Sequence, residues 1–81
     1  MKYLVTDSVA DGLRIFVFPP DIPHDHMAAV LVEFGKPVNA GFVRVTPEGP
    51  VCFGESVSLG LKSGDNDTSL LRANFVASLP R

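Results

Sequence analysis

Leu13-Arg14-Ile15-Phe16-Val17-Phe18 is the stretch that decides the fold, because it has the strongest strand character in the 81 residues. Its β-branched and aromatic side chains favour an extended backbone, and both of its alternating faces are mostly apolar. Such a strand is either central and covered on both sides or involved in an interface. Pro19 and Pro20 end it, because neither can donate a ladder hydrogen bond.

The segments around this strand predict further strands joined by short turns. Residues 2–6 read as a short strand, and Asp11-Gly12 is typical of a hairpin turn between it and Leu13. Residues 38–46 and 51–53 predict a second hairpin through a type I turn at residues 46–49. A bulge at Gly41 would bring the valines of the longer strand to one face. Residues 56–63 alternate most regularly, which predicts one more strand.

Two segments have helical character. Met27, Val30, Leu31 and Phe34 have the spacing of one apolar helix stripe, which Gly35 and Pro37 would end. Either Asp21 or His24 would cap the start of this helix. A second helix is predicted over residues 68–78, capped by Asp65 or Asp67 and ended by Pro80. Its buried face would hold the following residues: Leu70, Leu71, Phe75 and Leu79.

The fold class that follows is a single α+β domain over residues 1–81. We expect a small antiparallel sheet of four or five strands with two helices, in the order ββαββ(β)α. The simplest arrangement places both helices on one face of the sheet. The mean hydropathy of +0.24 is high for so short a chain, so we also expect apolar surface that meets a partner.

Composition excludes several classes of function. The net charge of −2 argues against nucleic-acid binding, which needs a basic face. A single cysteine, Cys52, allows no intrachain disulfide. No apolar run approaches the ~20 residues that span a bilayer, and no secretory signal is evident, so we expect a cytoplasmic protein without membrane association. We expect no cofactor.

The candidate chemistry is sparse. His24 and His26 are two residues apart, which on a helix directs them to nearly opposite sides, so a shared metal is disfavoured. Cys52 lies between apolar neighbours in a predicted strand, where a semi-buried structural thiol is expected. The alternative interpretation is a small enzyme or metal-binding protein that uses His24 and His26 with Cys52 or Glu55. No catalytic residue is predicted.

Two further motifs fail on inspection. Residues 54–58 lack the second glycine of a nucleophile elbow and lead into a predicted strand instead of a helix. Residues 65–69 begin like a calcium loop, but Leu70 stands where glycine is required and Val76 where the bidentate glutamate belongs.

The second half of the chain resembles a group of short uncharacterised proteins encoded by phages and prophages. The resemblance rests on residues 40–45 and 52–63 and on Asp67 with Leu70-Leu71. It implies no catalytic residues. It implies a setting: a phage or prophage gene expressed in the cytoplasm of a bacterial host.

The function expected from the sequence is therefore that of a small, non-catalytic phage or prophage accessory protein. It would act by binding a protein, such as a host protein or a component of a defence system. Phe16, Phe18 and Phe42 are expected on strand faces opposite the core, where another chain covers them, and a homodimer is one form of this contact. The candidate interaction residues are the following: Arg14, Phe16, Phe18, Phe42 and Arg44.

Overall fold

A computed structural model describes the backbone of residues 1–78 and the side chains of residues 1–74. In chain order, the elements are β1 (Lys2–Ser8), β2 (Gly12–Phe18), α1 (His24–Val30), a 3₁₀ turn (Val32–Phe34), β3 (Lys36–Thr46), β4 (Gly49–Phe53), β5 (Glu55–Ser56), β6 (Leu61–Lys62) and α2 (Asp67–Ser78). β2, β1, β3 and β4, in that order, form an antiparallel sheet, and β5 pairs with β6. The predicted α+β class is confirmed.

The first hairpin forms as its sequence predicts. β1 and β2 pair without interruption from Lys2 opposite Phe18 to Ser8 opposite Gly12. Gly12 adopts a φ of +68°, which glycine reaches without steric cost, and this closes the three-residue turn.

The two helices lie on opposite faces of the sheet, so the prediction that both cover one face is wrong. Met27 and Ala28 of α1 pack against a core cluster that includes Leu4 of β1. Asp67 at the start of α2 bonds to the hydroxyl of Tyr3. Because consecutive strand residues point to opposite faces, Leu4 and Tyr3 place the two helices on different sides.

The core on the α1 side contains the rings that we expected to face a partner. Phe16 and Phe18 pair with Leu4 and Lys2 of β1, and cross-strand partners share a face. Phe18 is only 3% exposed and belongs to a buried cluster with Leu4, Leu31 and Ala40. The expected placement of these rings and of Phe42 on the face opposite the core is therefore wrong.

The bulge in β3 lies at Val38 and not at Gly41. Val5 pairs with Asn39, whereas Thr6 pairs with Pro37, which leaves Val38 as the extra residue. Pro37 cannot donate a ladder hydrogen bond, and the register shift occurs next to it.

Residues 56–63 form a tight hairpin instead of the predicted strand. The Ser56 hydroxyl accepts a hydrogen bond from the Leu59 N–H, and the Gly60 N–H bonds to the Val57 carbonyl. These local bonds replace ladder bonds. Val57 is consequently 88% exposed, whereas Leu59 and Leu61 pack against the core on the α1 side.

The helices differ from their predictions mainly at their ends. Pro23 occupies the N-cap of α1, so neither Asp21 nor His24 caps it, and Val30 of the expected apolar stripe is exposed. The second helix is confirmed, with Leu71 buried. The predictions for Phe75, Leu79 and Pro80 concern side chains and residues outside those that the structure describes. Neither helix, over its described residues, is long and apolar enough to cross a membrane.

Candidate interaction surface

His24 is packed inside the fold, on the α1 side of the sheet. Its side chain is buried, and its Nε2 lies 2.8 Å from the Gly41 carbonyl oxygen. The rings of Phe18 and Phe42 flank the imidazole edge to face, each with its centroid at 5.5 Å. This hydrogen bond ties the start of α1 to β3.

Cys52 lies on the other side of the sheet, facing α2. It pairs with Val43, which alternates with Phe42 and therefore has the opposite orientation. Burial, together with the nearby charge of Asp67, raises the pKa of the Cys52 thiol to about 11. A thiol with so high a pKa is a poor nucleophile at neutral pH.

The structure does not bring together the four residues of the enzymatic interpretation, which are His24, His26, Cys52 and Glu55. His24 and Cys52 are on opposite sides of the sheet, and His26 and Glu55 are exposed. Among the described residues, no group of three histidine, cysteine or acidic side chains is arranged to hold a metal ion.

We predict slow modification of Cys52 by a thiol reagent such as Ellman's reagent at pH 8. At a pKa of about 11, only about one thousandth of the thiol is ionised at that pH. Unfolding in urea should accelerate the reaction roughly 100-fold as the pKa returns to its ordinary range. The rate in the folded protein should rise about tenfold per pH unit and level off near pH 11. A rate that levels off below pH 9 would contradict the buried environment.

A buried polar cluster that the sequence did not reveal joins α2 to the sheet. The Asp67 carboxylate accepts hydrogen bonds from the Tyr3 hydroxyl at 2.5 Å, the Asn39 amide at 2.8 Å and the Gly64 N–H at 2.8 Å. Burial, followed by the bond to Asp67, raises the pKa of Tyr3 far above its usual value, so the hydroxyl stays protonated and donates. The available signal was the position of polar Asn39 between the apolar residues Val38 and Ala40.

The five predicted interaction residues divide into two groups. Phe18 is in the core, and Phe16 and Phe42 are partly buried. Arg14 and Arg44 are exposed, and their guanidinium groups lie over the rings of Phe34 and Phe53, at 5.7 and 5.2 Å from the centroids. Their role in binding stays a prediction.

Side chains of α2 cover the outer edge of β4. The Cys52 N–H donates to Thr68 Oγ1 at 2.9 Å, and the Pro50 carbonyl accepts from Arg72 Nε at 3.0 Å. Pro50 has no N–H to offer. Among the backbone groups that Pro50 and Cys52 direct outward, the Pro50 carbonyl and the Cys52 N–H are therefore already bonded, and an N–H on Pro50 is absent.

The outer edge of β2 is different. The Val43 N–H bonds to the Met1 carbonyl at 2.8 Å, which places Met1 in a bonded pair with β3. Bonded and non-bonded pairs alternate in an antiparallel ladder, so the even-numbered residues of β1 direct their backbone groups to β2. Their partners on β2 are also even-numbered: Arg14, Phe16 and Phe18. The intervening residues of β2 direct their N–H and C=O groups to the open edge: Leu13, Ile15 and Val17.

Apolar side chains and a groove accompany these outward-directed backbone groups. Leu13 is 54% exposed and Val17 is 41% exposed. A groove of about 450 Å³ follows the edge, with Asn74 of α2 as its wall on the helix side. Among the described residues, β1 is the only strand that pairs with β2. Over the described residues, this edge combines outward backbone groups, exposed apolar side chains and a groove.

Comparison with known proteins adds no relative: the chain shows no significant match to a protein-family model, a curated protein or a solved structure.

Proposed function

We propose that the chain is a small, non-catalytic interaction protein that binds a protein partner by strand addition along the outer edge of β2. The observation that carries the proposal is the contrast between the two edges of the sheet. α2 satisfies outward groups of β4 through Thr68 and Arg72, whereas no strand or side chain among the described residues bonds to those of Leu13, Ile15 and Val17.

Sheet edges are normally protected because unpaired backbone groups pair readily with another chain. Lysine, proline, bulges and short length are the usual protections. β2 has little of this protection: its one charged side chain, Arg14, is paired with Asp11, its seven residues contain neither lysine nor proline, and its pairing with β1 has no bulge. An extended apolar edge of this kind is suited to β-augmentation, in which main-chain bonds supply affinity and alternate side chains supply specificity.

The placement of Cys52, the candidate nucleophile, and of His24, the candidate base, supports a non-catalytic role. Cys52 keeps its proton at neutral pH, and the His24 imidazole is engaged with Gly41 on the opposite side of the sheet. We place the protein, by the resemblance of its second half, among accessory factors that phages and prophages express in the bacterial cytoplasm to modulate host proteins.

The test is capture by the tagged protein from a bacterial lysate that also contains an untagged copy of the chain. Val17→Pro removes an outward N–H without removing a bond to β1, a position where edge strands tolerate proline. Val17→Ala is the matched control, since it trims the side chain and retains the N–H. We expect Val17→Pro to reduce capture about fivefold, because one lost hydrogen bond is worth about 1 kcal/mol and a tenfold change in affinity corresponds to about 1.4 kcal/mol.

Amide NMR spectra of both variants should first show a folded chain. If Val17→Pro captures the same proteins as Val17→Ala in equal amounts, or if the tagged protein captures nothing, the proposal is wrong.

A further inference from the structure

We propose that the strand added to β2 is the β2 strand of a second copy, which gives a two-fold symmetric dimer with one continuous eight-stranded sheet. This inference rests on the proposed function, because it assigns the occupant of the same edge. The argument is that the edge of β2 is complementary to itself.

The backbone groups fit an antiparallel pair centred on Ile15. Leu13, Ile15 and Val17 are evenly spaced by two residues, which is the spacing of bonded positions in an antiparallel ladder. With Ile15 opposite Ile15 of the second copy, Leu13 of each chain lies opposite Val17 of the other. Each of the three pairs then exchanges two bonds, about six in all.

The side chains on the α2 face fit the same register. Leu13 and Val17 are the two β2 residues on this face with large exposed apolar surface, at 54% and 41% exposed. Two-fold pairing places Leu13 of each chain against Val17 of the other, so both exposed positions are covered at once. A shift by two residues would leave one of them facing solvent in each chain.

The α1 face adds an aromatic contact and no net repulsion. In this register Arg14 lies opposite Phe16 of the second copy. Within its own chain, the Arg14 guanidinium already lies over the ring of Phe34. Phe16 itself packs on Phe34 with centroids 5.5 Å apart, so the arrangement extends a cation–π cluster across the interface. Arg14 is the only charged residue of β2, and Asp11 balances it at 3.2 Å.

The first test is the molecular mass in solution by light scattering and sedimentation. We expect twice the 8.7 kDa of the chain at micromolar concentrations. Val17→Pro should reduce the mass to that of one chain, and Val17→Ala should leave a dimer that dissociates at higher concentration than the native one.

The second test fixes the register with cysteines in a Cys52→Ala background. Leu13→Cys and Val17→Cys are made in separate chains and mixed in equal amounts under mild oxidation. We expect a covalent dimer from the mixture and none from either variant alone. In this register two Leu13 positions are about 13 Å apart, which exceeds the reach of a disulfide.

The outcomes separate the two proposals. If the chain is a monomer and its β2 edge captures a different protein, the proposal of a second copy is wrong and the proposal of strand addition is retained. A dimer that Val17→Pro does not affect overturns the second copy at β2, and equal capture by Val17→Pro and Val17→Ala overturns strand addition as well. A covalent dimer from Leu13→Cys alone overturns the register centred on Ile15.

Discussion

Replacing Asp67 by alanine is expected to lower the free energy of unfolding by about 4 kcal/mol. Asp67 is 3% exposed, and its carboxylate is the shared acceptor of Tyr3, Asn39 and Gly64. The variant leaves the buried Tyr3 hydroxyl and the partly buried Asn39 amide without their acceptor, and each unpaired donor costs about 1–3 kcal/mol. The loss is a large part of the stability of a domain of this size, which is about 4–12 kcal/mol. Thermal denaturation should show a fall in Tm of roughly 20 °C.

Controls identify the hydrogen bond as the cause. Asp65→Ala, at an exposed position in the turn that precedes α2, should change stability by less than about 0.5 kcal/mol. Tyr3→Phe should cost about 1.5–3 kcal/mol in the native chain, because it removes a bond to a charged group. In the Asp67→Ala background it should cost almost nothing, since the hydroxyl no longer has its acceptor. Additive losses would show that the two groups are not coupled.

The parts of the fold that could be predicted from the sequence are those that local chemistry determines. The Asp11-Gly12 turn and the apolar residues around it determine the first hairpin. Residues 68–78 carry the composition and periodicity of a helix, and α2 spans Asp67–Ser78. In each case the interactions that form the element lie within a few residues of one another.

The prediction failed where local and long-range preferences compete. The alternation of Val57, Leu59 and Leu61 favours a strand, but the Ser56 hydroxyl bonds to a backbone N–H three residues later and favours a turn. The side of the sheet that each helix covers was not predictable either. β2 is apolar on both faces, so its sequence fits a helix on either side.

The candidate site depends on pairing between distant elements, which the sequence does not display. The apolar character of residues 13–18 indicated either a central strand or an interface. The strand order places β2 at the edge and so favours the interface. The protection of β4 by Thr68 and Arg72 requires α2 to cross that end of the sheet, and no spacing in the chain predicts this.

Gly41→Ala is the second substitution with a large expected effect, a loss of about 3 kcal/mol or more. A Cβ at this position would lie 2.4 Å from the Phe53 carbonyl oxygen and 3.1 Å from Cε1 of Tyr3. The carbonyl is backbone and has no rotamer through which to move away, so the added methyl overpacks the sheet. Urea denaturation of the purified variant gives the measurement.

A second glycine separates crowding from backbone conformation. Gly60 has a φ of +65°, but a Cβ added there would have no neighbour within 4 Å, so Gly60→Ala should cost only about 1–2 kcal/mol for the left-handed conformation. The clash at Gly41 has two sources, and a double variant divides them. Tyr3→Leu removes the ring, yet the Phe53 carbonyl remains. We therefore expect Gly41→Ala to destabilise the Tyr3→Leu chain nearly as much as the native chain. If Tyr3→Leu instead restores most of the loss, the ring of Tyr3 is the reason that β3 has glycine here.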